Sequence, residues 1–447
     1  MDILKIFLIG EDEQCEITKA VLINHGYPLY TSIWNDQPPL HTWLLAVLFK
    51  GFGEHIAVAR ALALVFSLLL HLSLFATIVR ITGCAIAFSA VAYLFASPAV
   101  AVLSCSAMLE VPAFSLALAG VAIYVNKRDA GRDGWFAVVG IFLGLALQCK
   151  LTSGIVCGAV AADMFFDRFR GRLVIGRPLF FLISASLLTF LAIGSATPGW
   201  SFDQLLASHG RASQSLEAPE FSLAVFTNQT DAVLIICILL PFLLFGKSCD
   251  DIMLPMFWLL FAICIHSVHR PYWQFYYLHF AIPLSWILGV AILRLIGSLN
   301  SLRSAGRRAI GLALFGSFIC LLTFQSSNRL KEVHTYLLSR DGLADKRILY
   351  ILNAEASGGF IFTRYPIYAF YSHLLLPPEL AVLPMKRFWS GDLTEPQILG
   401  FVEKRPPDWL LLSPVDSSQP GWRKLIETKY VLRASGDQLD LFRLTGR

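Results

Sequence analysis

Apolar runs of near-spanning length recur from residue 57 to residue 324, and polar positions are confined to the short breaks between them. The runs lie at 57–80, 84–104, 109–126, 134–149, 153–167, 178–197, 231–246, 252–268, 275–297 and 308–324. Each approaches the ~20 residues that carry a helix across a bilayer. A shorter run, Leu40 to Phe52, suits a re-entrant or interfacial helix. Ile3 to Ile9 is apolar apart from Lys5 but too short for a span: either the chain starts late, with most of a first helix missing, which is the expectation, or this stub only dips into the interface. The pattern predicts a polytopic α-helical membrane domain of about ten or eleven transmembrane helices over 1–324.

Two stretches break the pattern. Residues 11–39 are polar and aromatic, too hydrophilic for lipid, and read as a first outer loop. Beyond residue 324 the spans stop. The tail, 325–447, carries short β-like runs at Ile348–Leu352, Leu380–Leu383, Trp409–Leu412 and Leu439–Arg443, with a helical segment at Glu395–Glu403. It predicts a small α/β soluble domain.

Composition agrees with a membrane chain. Hydrophobic residues make up 56% and charged residues 15%, against ~25% charged in a typical soluble domain. The net charge of +5 is spread over short loops, which gives no nucleic-acid footprint. Basic residues gather in alternate loops: Arg80; Lys127, Arg128 and Arg132; Arg168, Arg170, Arg172 and Arg177; Lys247; Arg294, Arg303, Arg307 and Arg308. The positive-inside rule places these in the cytoplasm. It places 11–39, 104–109, Lys150, 198–230, 269–274 and the tail on the outer side of a cytoplasmic membrane. Lys50 and Arg60 fit this scheme least well. The nine cysteines form no CxxC pair or metal cluster, and no cofactor motif is present.

The basic-poor side concentrates candidate chemistry. Glu11, Asp12 and Glu13 are adjacent acids beside a membrane, where repulsion and desolvation raise pKa as a general base requires; a solvated helix cap is the plainer reading. Asp36, before Gln37-Pro38-Pro39, reads as a site residue or a helix N-cap. Glu110, at the mouth of a span, needs a partner. Lys150 follows a long apolar run and reads as a phosphate-holding cation or a snorkelling lysine. The outer turn from His266 to His279 concentrates donors and aromatics, and an interfacial aromatic belt would also place Trp and Tyr there. Arg270 with His269 and His279 exceeds what a belt requires and reads as a phosphate clamp, with Tyr272 and Tyr276 as further substrate-binding candidates; the spacing is not a zinc motif. The 198–230 loop, with His209 and Arg211, reads as a cover or as an ordinary solvated loop.

Taken in order, these segments resemble the C-type membrane glycosyltransferases of the protein mannosyltransferase and aminoarabinose transferase superfamily. The residues are Asp12-Glu13, Gly26-Tyr27-Pro28-Leu29-Tyr30, Asp36-Gln37-Pro38-Pro39, Met108-Leu109-Glu110-Val111-Pro112, Cys149-Lys150-Leu151-Thr152 and Arg270 to Pro283. Gln37 stands where the family commonly has lysine, and Glu110 where it has aspartate. The resemblance implies inverting transfer of a hexose or pentose from a polyprenyl-phosphate sugar to a lipid, glycan or protein acceptor on the outer face. It implies Asp12 as base with Glu13 its nearest rival, Glu110 in the catalytic set, and Lys150 and Arg270 on the lipid phosphate. The lipid tail would lie between spans among membrane lipids, and metal dependence stays open. A transporter or flippase is the competing reading. It predicts internal repeats and discontinuous mid-membrane helices; no repeat is visible, and the charged residues cluster at the outer edge rather than the midplane.

Overall fold

The computed structural model describes residues 11–130, 132–225, 250–301, 305–339, 346–436 and 438–446. The expected span at 231–246 and the apolar residues 3–9 lie outside the described residues. The other expected spans all fall on helices.

The stretch expected as the first outer loop opens on a helix, α1 (Glu11–Asn24). It stops where Gly26 takes a left-handed φ of 88°, with the amide of Tyr27 returning to the carbonyl of Leu22. A segment with a turn at Tyr30–Ser32, closed by a bridge between Leu29 and Ile33, then leads through Pro38-Pro39 into α2 (Leu40–Phe52), whose bounds match the expected short helix. Ile17, Ala20 and Val21 of α1 pack on Leu45, Ala46 and Phe49 of α2.

The membrane core follows as α3 (Ile56–Thr82), α4 (Cys84–Phe95), α5 (Pro98–Ser104), α6 (Glu110–Lys127), α7 (Gly134–Cys149), α8 (Gly154–Phe169) and α9 (Gly176–Ser195), then helices Asp250–Val268, Leu278–Ser301 and Ala305–Ser339. Among the described residues four helices are long and apolar enough to cross a membrane, or five if α4 and α5 count as one span. The expected single span at 84–104 is in fact broken, with an 81° bend between α4 and α5. Pro98 explains it: proline has no N–H to continue the helix, and Ser97 before it is pushed to an extended φ/ψ of −66° and 124°. Helix α7 lies very close to α9. A Cβ on Gly140 would stand 2.3 Å from the carbonyl oxygen of Leu182, and one on Gly144 2.6 Å from that of Ser186. Small residues four apart permit this approach, and it fixes where Lys150 emerges.

Helix Ala305–Ser339 runs unbroken past residue 324. The tail then forms a four-stranded sheet of β1 (Ile361–Thr363), β2 (Trp409–Leu412), β3 (Tyr430–Ser435) and β4 (Asp440–Leu444), in the order β1-β2-β4-β3. β1 and β2 are parallel; β2–β4 and β3–β4 are antiparallel. Two expected strands are corrected. Ile348 to Leu352 lies in helix Lys346–Glu355, where Ile348 and Leu352 are buried one helical turn apart. Leu380 ends a single 3₁₀ turn, Pro378–Leu380, and 381–383 is a loop; Pro377, Pro378 and Pro384 around them cannot donate to a ladder.

The sheet has two packed faces. Phe362, Leu410, Leu412 and Phe442 meet Ile398, Val402, Trp422 and Leu425. Ile361, Trp409, Leu411 and Leu441 join Leu22, Leu29, Tyr30 and Ile33 in one core. The tail therefore shares its hydrophobic core with the segment between α1 and α2. Burial on both faces explains the unbroken apolar run of β2.

Candidate active site

A cavity open to solvent lies where α1, the 35–39 segment, the start of α6, the turn after α7 and the tail converge. Asp12, Glu16, Lys19, Asp36, Gln37, Glu110, Lys150, Tyr276 and Lys386 line it, with Leu109, Trp273 and Pro384 among the apolar contacts. Residues from both ends of the chain meet here.

Each acid is placed by its own element. Asp12, Glu16 and Lys19 fall at i, i+4 and i+7 of α1 and form one stripe facing the cavity. Lys19 Nζ donates to Glu16 Oε1 at 2.6 Å and Asn35 Oδ1 at 2.9 Å, and Thr42 Oγ1 donates to Glu16 Oε2 at 2.7 Å. Glu110 opens α6 and accepts from Lys150 Nζ. The Lys150 ammonium also lies 4.9 Å from the centre of the Tyr276 ring. Asp36 accepts from Lys386 Nζ at 2.7 Å and stands 3.4 Å from His209 Nε2. The backbone before it is held by Tyr30, which takes a left-handed φ of 66°. The Tyr30 hydroxyl and Asn35 Nδ2 both donate to the Gln37 carbonyl at 2.6 Å, and Gln204 Nε2 donates to the Tyr30 carbonyl at 2.9 Å.

Electrostatics sets the acids apart. The Asp12 side chain is open to the cavity, yet the surrounding protein withdraws it from bulk water. This desolvation, reinforced by Glu110 and partly offset by Lys150 and Lys386, raises its pKa to about 6. Burial acts on Asp36 in the same direction, but the neighbouring Lys386 and His209 prevail and hold it well below the usual carboxylate range. His209 itself is pushed down to about 4, by burial first and by Lys386 second. It is therefore neutral at physiological pH, and adds to the hold on Asp36 only at the low pH where its ring is charged.

The expected site residues divide. Asp12, Asp36, Gln37, Glu110, Lys150 and Tyr276 come together at the cavity. Glu13 does not line it. Its carboxylate lies 3.3 Å from both Nε and Nη2 of Arg60 and accepts from the amide of Ala107 at 3.1 Å. Arg60, the misfit among the loop charges, is fully buried as the internal partner of Glu13. His269, Arg270 and Tyr272 also lie off the cavity lining: Arg270 pairs with Glu220 at 2.6 Å, and the Tyr272 ring packs on Phe221 and His266. Their turn is drawn towards the 217–221 segment, and His279 is buried against Phe114 and His266; of the expected substrate-binding residues of this turn, Tyr276 lines the cavity. Among the described residues no group of three or more His, Cys, Asp or Glu side chains is arranged to hold a metal ion.

Three charged residues escaped the sequence reading. Glu16 and Lys19 were legible in principle, since they share a helical stripe with Asp12, but only once the stretch is read as a helix. Lys386 lies 350 positions from its partner, and no spacing rule reaches that far.

The model of the dolichyl-phosphate-mannose-protein mannosyltransferase family matches residues 36–195. Among solved structures, ArnT from Cupriavidus metallidurans bound to undecaprenyl phosphate aligns with a TM-score of 0.68 at 16% identity, over 98% of this chain and 94% of that one. The fold is that of the C-type membrane glycosyltransferases. The apo state of the same ArnT gives 0.65 at 15% identity, over 97% of this chain and 93% of that one. The Archaeoglobus fulgidus oligosaccharyltransferase in its apo form gives 0.57 at 12% identity, over 90% of this chain and 66% of that one. No curated protein matches the sequence. With this fold and its apolar helices, the chain is a multi-pass integral membrane protein. Glu110 and Arg128 stand at opposite ends of α6, ~27 Å apart at 1.5 Å per residue. Arg128 pairs there with Asp163 and Asp167, and Arg170 and Arg172 with Asp250. The cavity and these basic loops thus lie at opposite ends of the bundle.

Proposed function

We propose that the chain transfers a sugar from a polyprenyl-phosphate-linked donor to an acceptor hydroxyl or amine, with inversion, at the outer face of the membrane. One observation carries this reading: at the bundle end away from the basic loops, one cavity gathers the Asp12 carboxylate, the Glu110–Lys150 pair and the Asp36–Lys386 pair. Asp12 is the base. Its carboxylate takes the proton of the acceptor group as that atom attacks the anomeric carbon. The bond from that carbon to the phosphate oxygen breaks, and its electron pair leaves on the polyprenyl phosphate. Direct displacement inverts the anomeric centre.

Lys150 faces the developing phosphate charge, the task for which preorganised donors matter most. Glu110 holds Lys150 in place. Asp36 and Gln37 line the donor side of the cavity, and Tyr276 supplies a ring wall. The lipid tail runs down the apolar helix faces, and the tail domain borders the acceptor's approach. The positive-inside rule puts the cavity and tail domain outside.

The test is donor turnover by the purified chain in liposomes, read as release of polyprenyl phosphate from a panel of undecaprenyl-phosphate hexoses and pentoses. Release by wild type and none by Asp12→Asn is the expected result. Wild-type protein inert towards every donor and acceptor class offered would overturn the reading.

A further inference from the structure

The tail segment 382–392 brings Val382, Pro384 and Lys386 to the cavity wall and is pinned on several sides. Arg387 Nη1 donates to the carbonyls of Glu379 at 2.9 Å and Val382 at 3.0 Å, and its guanidinium lies 5.3 Å from the centre of the Trp34 ring. Trp389 stacks on Trp273 with ring centres 6.2 Å apart and donates from Nε1 to Glu217 at 3.1 Å. Asp392 accepts from Ser208 at 2.6 Å and Arg211 at 2.7 Å. These contacts carry Lys386 into the cavity lining at 7% exposure, against Asp36.

A buried lysine–carboxylate pair is a poor device for joining two segments, because apolar residues of similar volume do as well or better. It makes sense where the charge itself is used. An ammonium carries three N–H groups, and Asp36 takes one of them. Lys386 and Lys150 also both act electrostatically on Asp12, which places them around the same space. Gln37, next to Asp36, lines that space and is neutral.

We propose that Lys386, delivered by the C-terminal domain, binds the donor phosphate together with Lys150. The inference rests on the reading of the cavity as a donor site. The membrane domain alone then holds an incomplete site, and the docked tail completes it.

Binding of undecaprenyl phosphate to the full chain in detergent, followed by intrinsic tryptophan fluorescence, tests this. Lys386→Ala is expected to weaken binding about tenfold or more, the loss of one charge-assisted hydrogen bond. Lys386→Arg should stay within a few-fold of wild type. Gln37→Lys added to Lys386→Ala should recover part of the loss, because it returns an ammonium to the same space. Asp36→Asn added to Lys386→Ala removes the buried charge left behind and should stay weak. Wild-type binding in that last double variant, or in Lys386→Ala alone, would mean that the pair is only structural and would overturn the inference. Failure of the wild type itself to bind the lipid would bring down the donor-site reading with it. Inorganic phosphate is the second probe: displacing the lipid only at large excess supports a lipid-borne phosphate, and binding as tightly as the lipid overturns that assignment.

Discussion

Asp12 and Glu13 are neighbours on α1 and face different surroundings. Asp12 opens on the cavity, while Glu13 is buried with its carboxylate 3.3 Å from the Arg60 guanidinium. Successive residues of a helix point ~100° apart, so two adjacent acids cannot share one task here. Asp12→Asn is expected to abolish sugar transfer without lowering the melting temperature. Glu13→Gln strands a buried Arg60 and should cost ~3–5 kcal/mol of stability. Thermal melts beside turnover assays separate the two. Full turnover in Asp12→Asn would remove Asp12 from the base role.

The pH profile follows from the same carboxylate. Asp12 has its pKa raised from 3.8 to about 6, and a base works only when ionised. Turnover at limiting donor should rise with pH, inflect near pH 6 and level off above it. The stability sign is opposite. The folded state holds this proton more tightly, so the group favours folding below pH 3.8, and that contribution is lost as pH rises through about 6. A rate flat from about pH 5 to pH 8 would contradict the assignment.

Lys150 and Glu110 form a buried ion pair. Lys150→Met leaves a carboxylate stranded and should destabilise by ~3–5 kcal/mol. Adding Glu110→Gln should restore most of that stability without restoring donor binding. If donor affinity returned along with the melting temperature, Lys150 would have only a structural role.

Arg270 offers a contrast. Its pair with Glu220 is partly exposed on both sides, 35% and 63%. Arg270→Ala should change stability by less than ~1 kcal/mol. Its effect on donor KM should be smaller than that of Lys150→Met, and kinetics of the two variants side by side would rank them.

The contact between α7 and α9 tolerates no added volume. Gly140→Val would drive a side chain against the Leu182 carbonyl, 2.3 Å from the new Cβ. A loss of ~1–3 kcal/mol or more is expected. Gly134→Ala, with nothing within 4 Å, is the control, and should melt within ~0.5 kcal/mol of wild type. Equal melting of the two would argue against this packing.

The sequence alone determined the class of the molecule, because lipid forces backbone polar groups into helices and leaves long apolar runs as a record. It also determined which short segments carry charge on the basic-poor side, and so Asp12, Asp36, Glu110 and Lys150 were legible. Trp409–Leu412 was readable as a strand because burial on both faces leaves an uninterrupted apolar run. The tertiary structure decided the rest. The break before Pro98 and the helical state of 348–352 follow from local rules, though a simple apolar count overrides them. The partner of Glu13, the turning of Arg270 towards Glu220 and the arrival of Lys386 beside Asp36 obey no local rule. Such pairs form between segments that only the packed core brings together, and their residue types, read singly, do not distinguish a counterion from a substrate ligand.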